Sequence, residues 1–600
     1  MKKVSKTLAI VLCLVMILSL TALADWTVFG KTNSHNHVVT SAPTSSTPSI
    51  TQFALMNAGG GWDGVDTEPL MRTVTTTETN DGVTTTTSTT YAYILYDGHK
   101  DGGRLVKINC SDTPPSIVWD RQISGASGFQ LSTPLLVPGA VNSEANDAIY
   151  LASSFAGIVS GVSLSNDVSI ASGDTETLSW SNLSITTTTN RLAIGILLGE
   201  YSTQQTNFSA HGSASLSLTG GNTVNITLNP DAATSSTNYH PVEVVVHDSA
   251  NNTDVYQYWW YINQNITGTT GTGKTASAVI TLTDHAGTIK YAEMYAQSGA
   301  IQKVTNLGAT SANDVVVTTI KSGITGQINT PITTDGTYLY FGTYTGYNTA
   351  GTYYQITKTG SLQGSFTTSN DGNYGFYWAG AVSDGTNVYF GRDNGKVFWR
   401  SIANFSNTGG SLDLTATESD AGNVRSTIMI DDGKLYFTSQ GGYLWCCSFN
   451  SSTSTLGIDW YVALRNESDT ANVTSTSTPT KVGNRIYVGC YGGNGKSGVK
   501  YINASTHDEE YVIQSNSLPV QCSIGVRGTG TDEEFVDYLY FVTNYATGTG
   551  YCYSWDGTTA TLIWSGTGTG IDQTYALGGM TIENGIAVYG NDHNYVSVVK

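Results

Sequence analysis

Chemistry needs side chains that ligate, titrate or attack, and this sequence holds few such groups in working proximity. His35-Asn36-His37 offers two imidazoles one residue apart, but no third ligand stands at a metal-site spacing. Asp63, Asp66 and Glu68, beside Gly59-Gly60-Gly61-Trp62, could turn carboxylate oxygens on calcium or could simply form a polar turn. Asp508-Glu509-Glu510 and Asp532-Glu533-Glu534 read as solvated loops. Asp284-His285 has no Gly-x-Ser-x-Gly elbow to complete a nucleophilic triad. Cys446-Cys447 lies in the strand-like run Tyr443-Leu-Trp-Cys-Cys-Ser448, where neighbours point to opposite faces, so the two thiols read as packing residues. No C-x-x-C or C-x-x-C-H spacing occurs, which excludes zinc ribbons and c-type haem. Aromatic residues are the strongest lead. Tyr344, Tyr347, Tyr353, Tyr354, Tyr374, Phe376, Tyr377 and Trp378 crowd one stretch of chain. Of these, Tyr344, Tyr347, Tyr374, Tyr377 and Trp378 are the candidate ligand-binding residues, because Tyr and Trp on rigid loops suit recognition of a protein or glycan; packing explains such residues equally well.

The elements that must carry these residues are strands. Charged residues make up 12% of the chain, about half the usual ~25%, while Gly counts 66 of 600 and Tyr 35. Such a composition favours strands and tight turns over long helices. A repeat runs through most of the chain: a small or polar start, a short apolar strand, an Asp-Gly-type turn, then a strand ending in Tyr-Phe-Gly. It reads Thr330-Pro331-Ile332, Asp335-Gly336, Leu339-Tyr340-Phe341-Gly342, and again Ala379-Gly380-Ala381-Val382, Asp384-Gly385, Val388-Tyr389-Phe390-Gly391. Further copies start near 67, 132, 426, 477, 522 and 576. Each unit holds about four strands and cannot bury both faces alone, so the units must stack radially, as the blades of a β-propeller do. Eight starts imply eight blades, with seven as the alternative. The last copy has room for three strands, and Ser49–Met56 lacks a repeat of its own, so that segment is expected to close the ring as a fourth strand. Of the eight strands that open the repeats, only those with Glu68 and Lys481 carry a charge.

Residues 1–24 read as a secretory signal peptide: Lys2, Lys3 and Lys6, an apolar run from Leu8 to Leu20, then Ala22-Leu23-Ala24 before Asp25. The protein is therefore expected to be secreted or associated with a cell surface, with no integral membrane segment. Net charge is −19, with 27 Lys and Arg against 46 Asp and Glu, a balance that repels nucleic acid. Cys110, Cys446, Cys447, Cys490, Cys522 and Cys552 remain after the leader, too few for a disulfide framework.

Within blade two, between Gly157 and Gly271, the repeat vanishes. Alternating runs such as Val242-Glu-Val-Val-Val246 and Tyr256-Gln-Tyr-Trp-Trp-Tyr261 fit an immunoglobulin-like β-sandwich inserted in a blade. The expected organisation is thus a leader at 1–24, propeller at 25–157 (closing strand and blades one and two), an inserted sandwich at 158–272, and the rest of the propeller at 273–600.

The blades, together with Asp25-Trp26-Thr27-Val28-Phe29-Gly30 and His35 a few residues on, resemble the PQQ-like (quinoprotein dehydrogenase-like) propeller repeat proteins. The resemblance implies a propeller but not one function, since the family holds enzymes and non-catalytic surface proteins alike. An enzyme of this kind would need calcium held by acidic and amide side chains, an Asp base, a Trp below the quinone and often a disulfide between adjacent cysteines. No such set stands among the opening strands. The sequence therefore reads as a non-catalytic binding, adhesion or scaffold protein with a surface protein or glycan as partner. No cofactor is expected apart from calcium at Asp63, Asp66 and Glu68, and pyrroloquinoline quinone (PQQ) belongs only to the alternative, a calcium-dependent extracytoplasmic oxidoreductase.

Overall fold

The computed structural model describes residues 25–153 and 299–600, apart from short loop stretches that include 60–63, 124–131, 345–349 and 466–472. Of residues 154–298 it describes the strands without their side chains. Residues 1–24, expected from the sequence to be a leader, lie outside the described residues, as do Asp63 and Tyr347.

Eight antiparallel sheets arranged around an axis form an eight-bladed β-propeller, almost without helix. Blade one comprises Leu70–Asn80, Val83–Asp97, Gly103–Asn109 and Ser116–Gln122. Blade two comprises Leu135–Val137, Ala148–Ser153, Gly299–Thr305 and Val316–Ile324. Blades three to seven follow in sequence, each opening on a short inner strand: Thr333–Thr334, Val382–Ser383, Met429–Asp431, Thr480–Val482 and Gly525–Arg527. Blade eight takes Thr581–Glu583, Ile586–Gly590 and Tyr595–Val599 from the end of the chain and Ile50–Ala54 from its beginning. Ile50 faces Val599 and Ala54 faces Tyr595, so the closing strand falls where the unassigned segment near residue 50 led us to expect it. Among the described residues no helix is long and apolar enough to cross a membrane.

The repeat motif has a physical cause. In blade three Gly336 takes φ +94°, which a side chain resists, and so turns the hairpin. Asp335 Oδ1 accepts the backbone N–H groups of Thr337 and Tyr338, both at 2.7 Å, while Oδ2 accepts the Tyr340 hydroxyl at 2.8 Å. Blade four repeats this with Asp384 and Tyr389. Asp-Gly therefore specifies both the turn and the tyrosine that follows it. The glycine ending Tyr-Phe-Gly answers a close approach: a Cβ on Gly391 would stand 2.4 Å from Val424 Cγ1, on the connection that leads into the next blade.

Residues 26–39 thread across the axis and pair with inner strands. The N–H groups of Met71, Leu136, Ile430 and Val526 donate to the carbonyls of Trp26, Thr27, Ser34 and His37. Asn36 pairs with Lys481 in both directions, at 2.9 and 3.0 Å. Backbone groups facing the axis are thus satisfied by the chain's own beginning, and Trp26, Val28, His35 and His37 are fully buried there.

Chain leaves blade two after Ser153 and re-enters at Gly299. Between these points a five-stranded sheet runs in the order Thr253–Asn263, Tyr239–Asp248, Asn190–Ile196, Gly287–Ala296, Gly157–Ile170. A three-stranded sheet joins Gly212–Thr219, Thr223–Pro230 and Lys274–Ala278. One pair in the larger sheet, Asn190–Ile196 with Gly287–Ala296, is parallel. The strands Lys274–Ala278 and Gly287–Ala296 thus pair within this interval and not with the propeller.

Candidate functional site

Each blade brings the start of its inner strand, or the residues just before it, to the axis. There they line a cavity of about 60 Å³. Blade one gives Asp66 and Glu68, blade two Thr133, blade three Pro331, and blade four Trp378. Blade five gives Arg425 and Thr427, blade six Thr476 and Thr478, blade seven Gln521, Cys522 and Ser523, and blade eight Gly578 and Gly579. Phe29, from the threading segment, completes the lining. The segment bonds to Met71, Leu136, Ile430, Lys481 and Val526, each three residues after a lining residue. The same segment reaches the cavity itself, with Phe29 on its wall and Gly30 and His37 bonded to Glu68, so it bounds the well on one side.

The polar groups of the well are held in fixed positions. Glu68 Oε1 pairs with His37 Nε2 at 2.8 Å, and Oε2 accepts the Gly30 N–H at 3.1 Å. Glu68 N–H donates in turn to Thr133 Oγ1. Thr427 Oγ1 accepts from Gly380 N–H and donates to the Trp378 carbonyl, and Thr476 donates to the Gln521 carbonyl. Two lining hydroxyls, on Thr478 and Ser523, find no partner although these residues are only 1% and 3% exposed. Cys522 is no nucleophile, since burial pushes its thiol up to about 12.

Around the mouth stands an aromatic rim. Tyr344 meets Tyr377 edge-on at 5.0 Å, and Tyr377 packs on Trp378 at 4.9 Å. The Arg425 guanidinium lies 4.5 Å from the Tyr377 ring centre and grips Asp393 with two bonds, at 2.8 and 2.6 Å. Burial pushes the Tyr377 hydroxyl up, against the lowering effect of Arg425 and with Tyr344, Asp66 and Asp393 adding to the rise. Tyr344 is fixed by two backbone bonds to Gln327, and the Tyr374 carbonyl accepts from Gly351 and Thr368. Trp378 itself sits at φ +60°, a conformation a bulky residue adopts only when its surroundings impose it.

Of the sequence-derived candidates, Tyr344, Tyr377 and Trp378 come together on this rim. Tyr374 stands beside it, its ring 5.7 Å from the Arg392 guanidinium. Asp66 and Glu68 both line the well. Phe376 and Tyr353 pack instead into the core between blades three and four, at 5.0 Å from one another. The sequence did not reveal Arg425 and Asp393, 32 residues apart, as a pair.

The quinone site implied by the resemblance does not match these residues. Cys446 and Cys447 are free thiols packed in two separate inter-blade cores on opposite faces of their strand. Among the described residues no group of three or more His, Cys, Asp or Glu side chains is placed to share a metal ion.

No protein-family model and no curated protein matches the sequence. Among solved structures the chain is similar to BamB from Moraxella catarrhalis, at 12% identity over 64% of this chain and 100% of that one, with a TM-score of 0.31. It is also similar to the periplasmic gluconolactonase PpgL of Pseudomonas aeruginosa, at 10% identity over 60% and 97%, with a TM-score of 0.32. A europium-containing methanol dehydrogenase is 9% identical over 94% and 89%, with a TM-score of 0.41.

Proposed function

We propose that this chain is an exported, non-catalytic binding protein that docks a cell-surface partner, protein or glycan, on the propeller face around the axial mouth. The observation that carries this reading is the rigid rim of Tyr344, Tyr377 and Trp378, backed by the Arg425–Asp393 pair and by the strained Trp378 backbone. Pre-fixed aromatic anchors lose little entropy on binding, which is how a few residues come to dominate an interface. The inserted interval, read from its sequence as an immunoglobulin-like sandwich, extends the same face, because Ser153 and Gly299 lie at the mouth-side ends of their strands.

The test uses residues 25–600 and retention on isolated cell-surface material. Tyr344→Ala with Tyr377→Ala should fold normally and lose about tenfold or more in retention. Undiminished retention overturns the assignment of the face. Saturable, calcium-dependent quenching of tryptophan fluorescence by PQQ would replace this reading with that of an oxidoreductase.

A further inference from the structure

A second cavity, of about 430 Å³, lies between blades three and four and falls within the size range of small-molecule sites. It stands at the other end of the blades from the aromatic rim, since Tyr338 begins the strand Tyr338–Gly342 and Tyr344 follows its end. Blade three contributes Tyr338, Gln355 and Gln363. Blade four contributes Thr386 from its first turn and the connection 401–407. That connection is clamped without any ligand. Gln355, 2% exposed, donates through Nε2 to the Ile402 carbonyl at 3.0 Å, and the Ile402 N–H donates to the Thr386 carbonyl at 2.9 Å. The Arg400 guanidinium bonds the Phe405 and Ser406 carbonyls, and Ser406 Oγ accepts the Ser365 N–H on the outer strand of blade three. A wall fixed in advance loses little entropy on binding.

The cavity offers neutral groups. No residue of its lining is charged, in a chain whose net charge is −19. Its polar side chains are amides and hydroxyls, each able to donate and to accept. Among the described residues the Tyr338 hydroxyl and Gln355 Oε1 carry no hydrogen bond, and neither is a sealed atom. Gln363 and Thr386 are exposed; the Gln363 amide reaches only the neighbouring Leu362 carbonyl, at 3.4 Å, and the Thr386 hydroxyl has no partner among the described residues. Asn407 gives its Nδ2 to Asn404 and keeps its oxygen for another donor. Beside these groups the part-exposed Tyr338 and Ile402 and the exposed Ala403 form an apolar wall.

Amides of this kind pair with vicinal hydroxyls, and an apolar wall takes the C–H face of a ring. We propose that the cavity binds a single neutral pyranose unit, its hydroxyls held by Gln355, Gln363, Asn407 and the Tyr338 hydroxyl. The site is separate from the docking face around the axial mouth and does not depend on it.

The test is saturation-transfer NMR on residues 25–600 with the methyl glycosides of glucose, mannose, galactose and N-acetylglucosamine, and with N-acetylglycine methylamide as a peptide mimic. At least one glycoside should bind saturably in the millimolar range, and more tightly than both the peptide mimic and the uronate of the same sugar, whose charge finds no partner on the lining. Tyr338→Phe removes a hydroxyl that bonds nothing in the protein, so the thermal midpoint should stay level while sugar affinity falls about three- to tenfold, the scale of one neutral hydrogen bond. Gln363→Ala should do the same. Tyr344→Ala with Tyr377→Ala, at the other end of the blades, should bind the glycoside as the wild type does. Absence of binding by all four glycosides overturns the proposal, as does tighter binding of the peptide mimic or of the uronate. Affinity unchanged in both Tyr338→Phe and Gln363→Ala, or lost in the Tyr344 and Tyr377 variant, places the sugar elsewhere and overturns it too. Retention on cell-surface material is read separately, so either site can fail while the other stands.

Discussion

His35 gives the most direct quantitative test of how the beginning of the chain is seated. Its ring is completely buried, Nδ1 bonds the Ile428 carbonyl at 2.9 Å, and burial pulls its pKa down to about 4. In the unfolded chain the ring titrates near the usual 6.5. Between these values the unfolded state binds the extra proton, so stability falls as pH drops through 6.5 towards 4. From pH 7 to pH 5 this amounts to about 2 kcal/mol. Glu583 does the reverse. Burial, which outweighs its partner Lys31, lifts its pKa to about 7, so the folded state holds the proton and stability falls as pH rises from about 4.5 through 7. Over the same interval Glu583 returns about 2 kcal/mol on acidification, and the two effects cancel in the wild type. Substitution uncovers each. His35→Asn keeps a donor for Ile428, suits the local φ of +59°, and cannot titrate. Relative to wild type it should gain about 2 kcal/mol between pH 7 and pH 5, and Glu583→Gln should lose about 2 kcal/mol over the same step. Urea unfolding at both pH values, followed by tryptophan fluorescence, reads these differences. If the difference between variant and wild type is the same at pH 7 and pH 5, neither group titrates as its burial demands and the account of the seat is wrong.

Three further outcomes test the blades. Gly391→Ala should destabilise by about 1–3 kcal/mol in thermal unfolding, because its Cβ meets Val424, and adding Val424→Ala should recover part of the loss; an undisturbed Tm would mean the approach is not tight. Gln52 on the closing strand donates to the Asp572 carbonyl at 3.0 Å and accepts its N–H at 2.6 Å, so Gln52→Ala should cost about 1–2 kcal/mol; no change in the urea midpoint would count against closure by this strand. Thiol titration of residues 25–600 should find no fast-reacting cysteine in the native protein, with burial holding Cys446 up at about 11, and six after denaturation; fewer than six on denaturation would reveal a disulfide.

The propeller was legible because its rules are local. Asp335-Gly336 and Asp384-Gly385 can only be hairpin turns once alternating strands flank them, and the tyrosine five residues after each aspartate bonds back to it, so one motif marks the whole unit. The closing strand followed from an arithmetic mismatch, three strands at one end of the chain and one at the other. The rim was half legible: clustered aromatics flagged it, but the same stretch also holds Tyr353 and Phe376, which face the core. Strand register decides which way a tyrosine points, and loops at strand ends carry no register. Long-range pairs left no local trace at all. Nothing near His35 names Ile428, 393 residues away, and nothing near Arg425 names Asp393.

Glu68 shows why the opening of the chain and the axial well form one device. It stands two residues before the inner strand Leu70–Asn80, where with Asp66 it brings a carboxylate to the axis, and both its oxygens are bonded by the threading segment through Gly30 and His37. That segment in turn bonds to inner strands of blades one, two, five, six and seven. Its seating therefore supplies Phe29 to the lining of the well and orients its acid. The rim shares Trp378 and Arg425 with the lining of the well, and the Trp378 carbonyl accepts the Thr427 hydroxyl, whereas Tyr344 stands outside that lining. Tyr344 can therefore change while the well keeps its lining, which predicts that Tyr344→Ala alone lowers retention on cell-surface material and leaves the thermal midpoint unchanged; an equal loss of both would tie Tyr344 to the fold and not to docking.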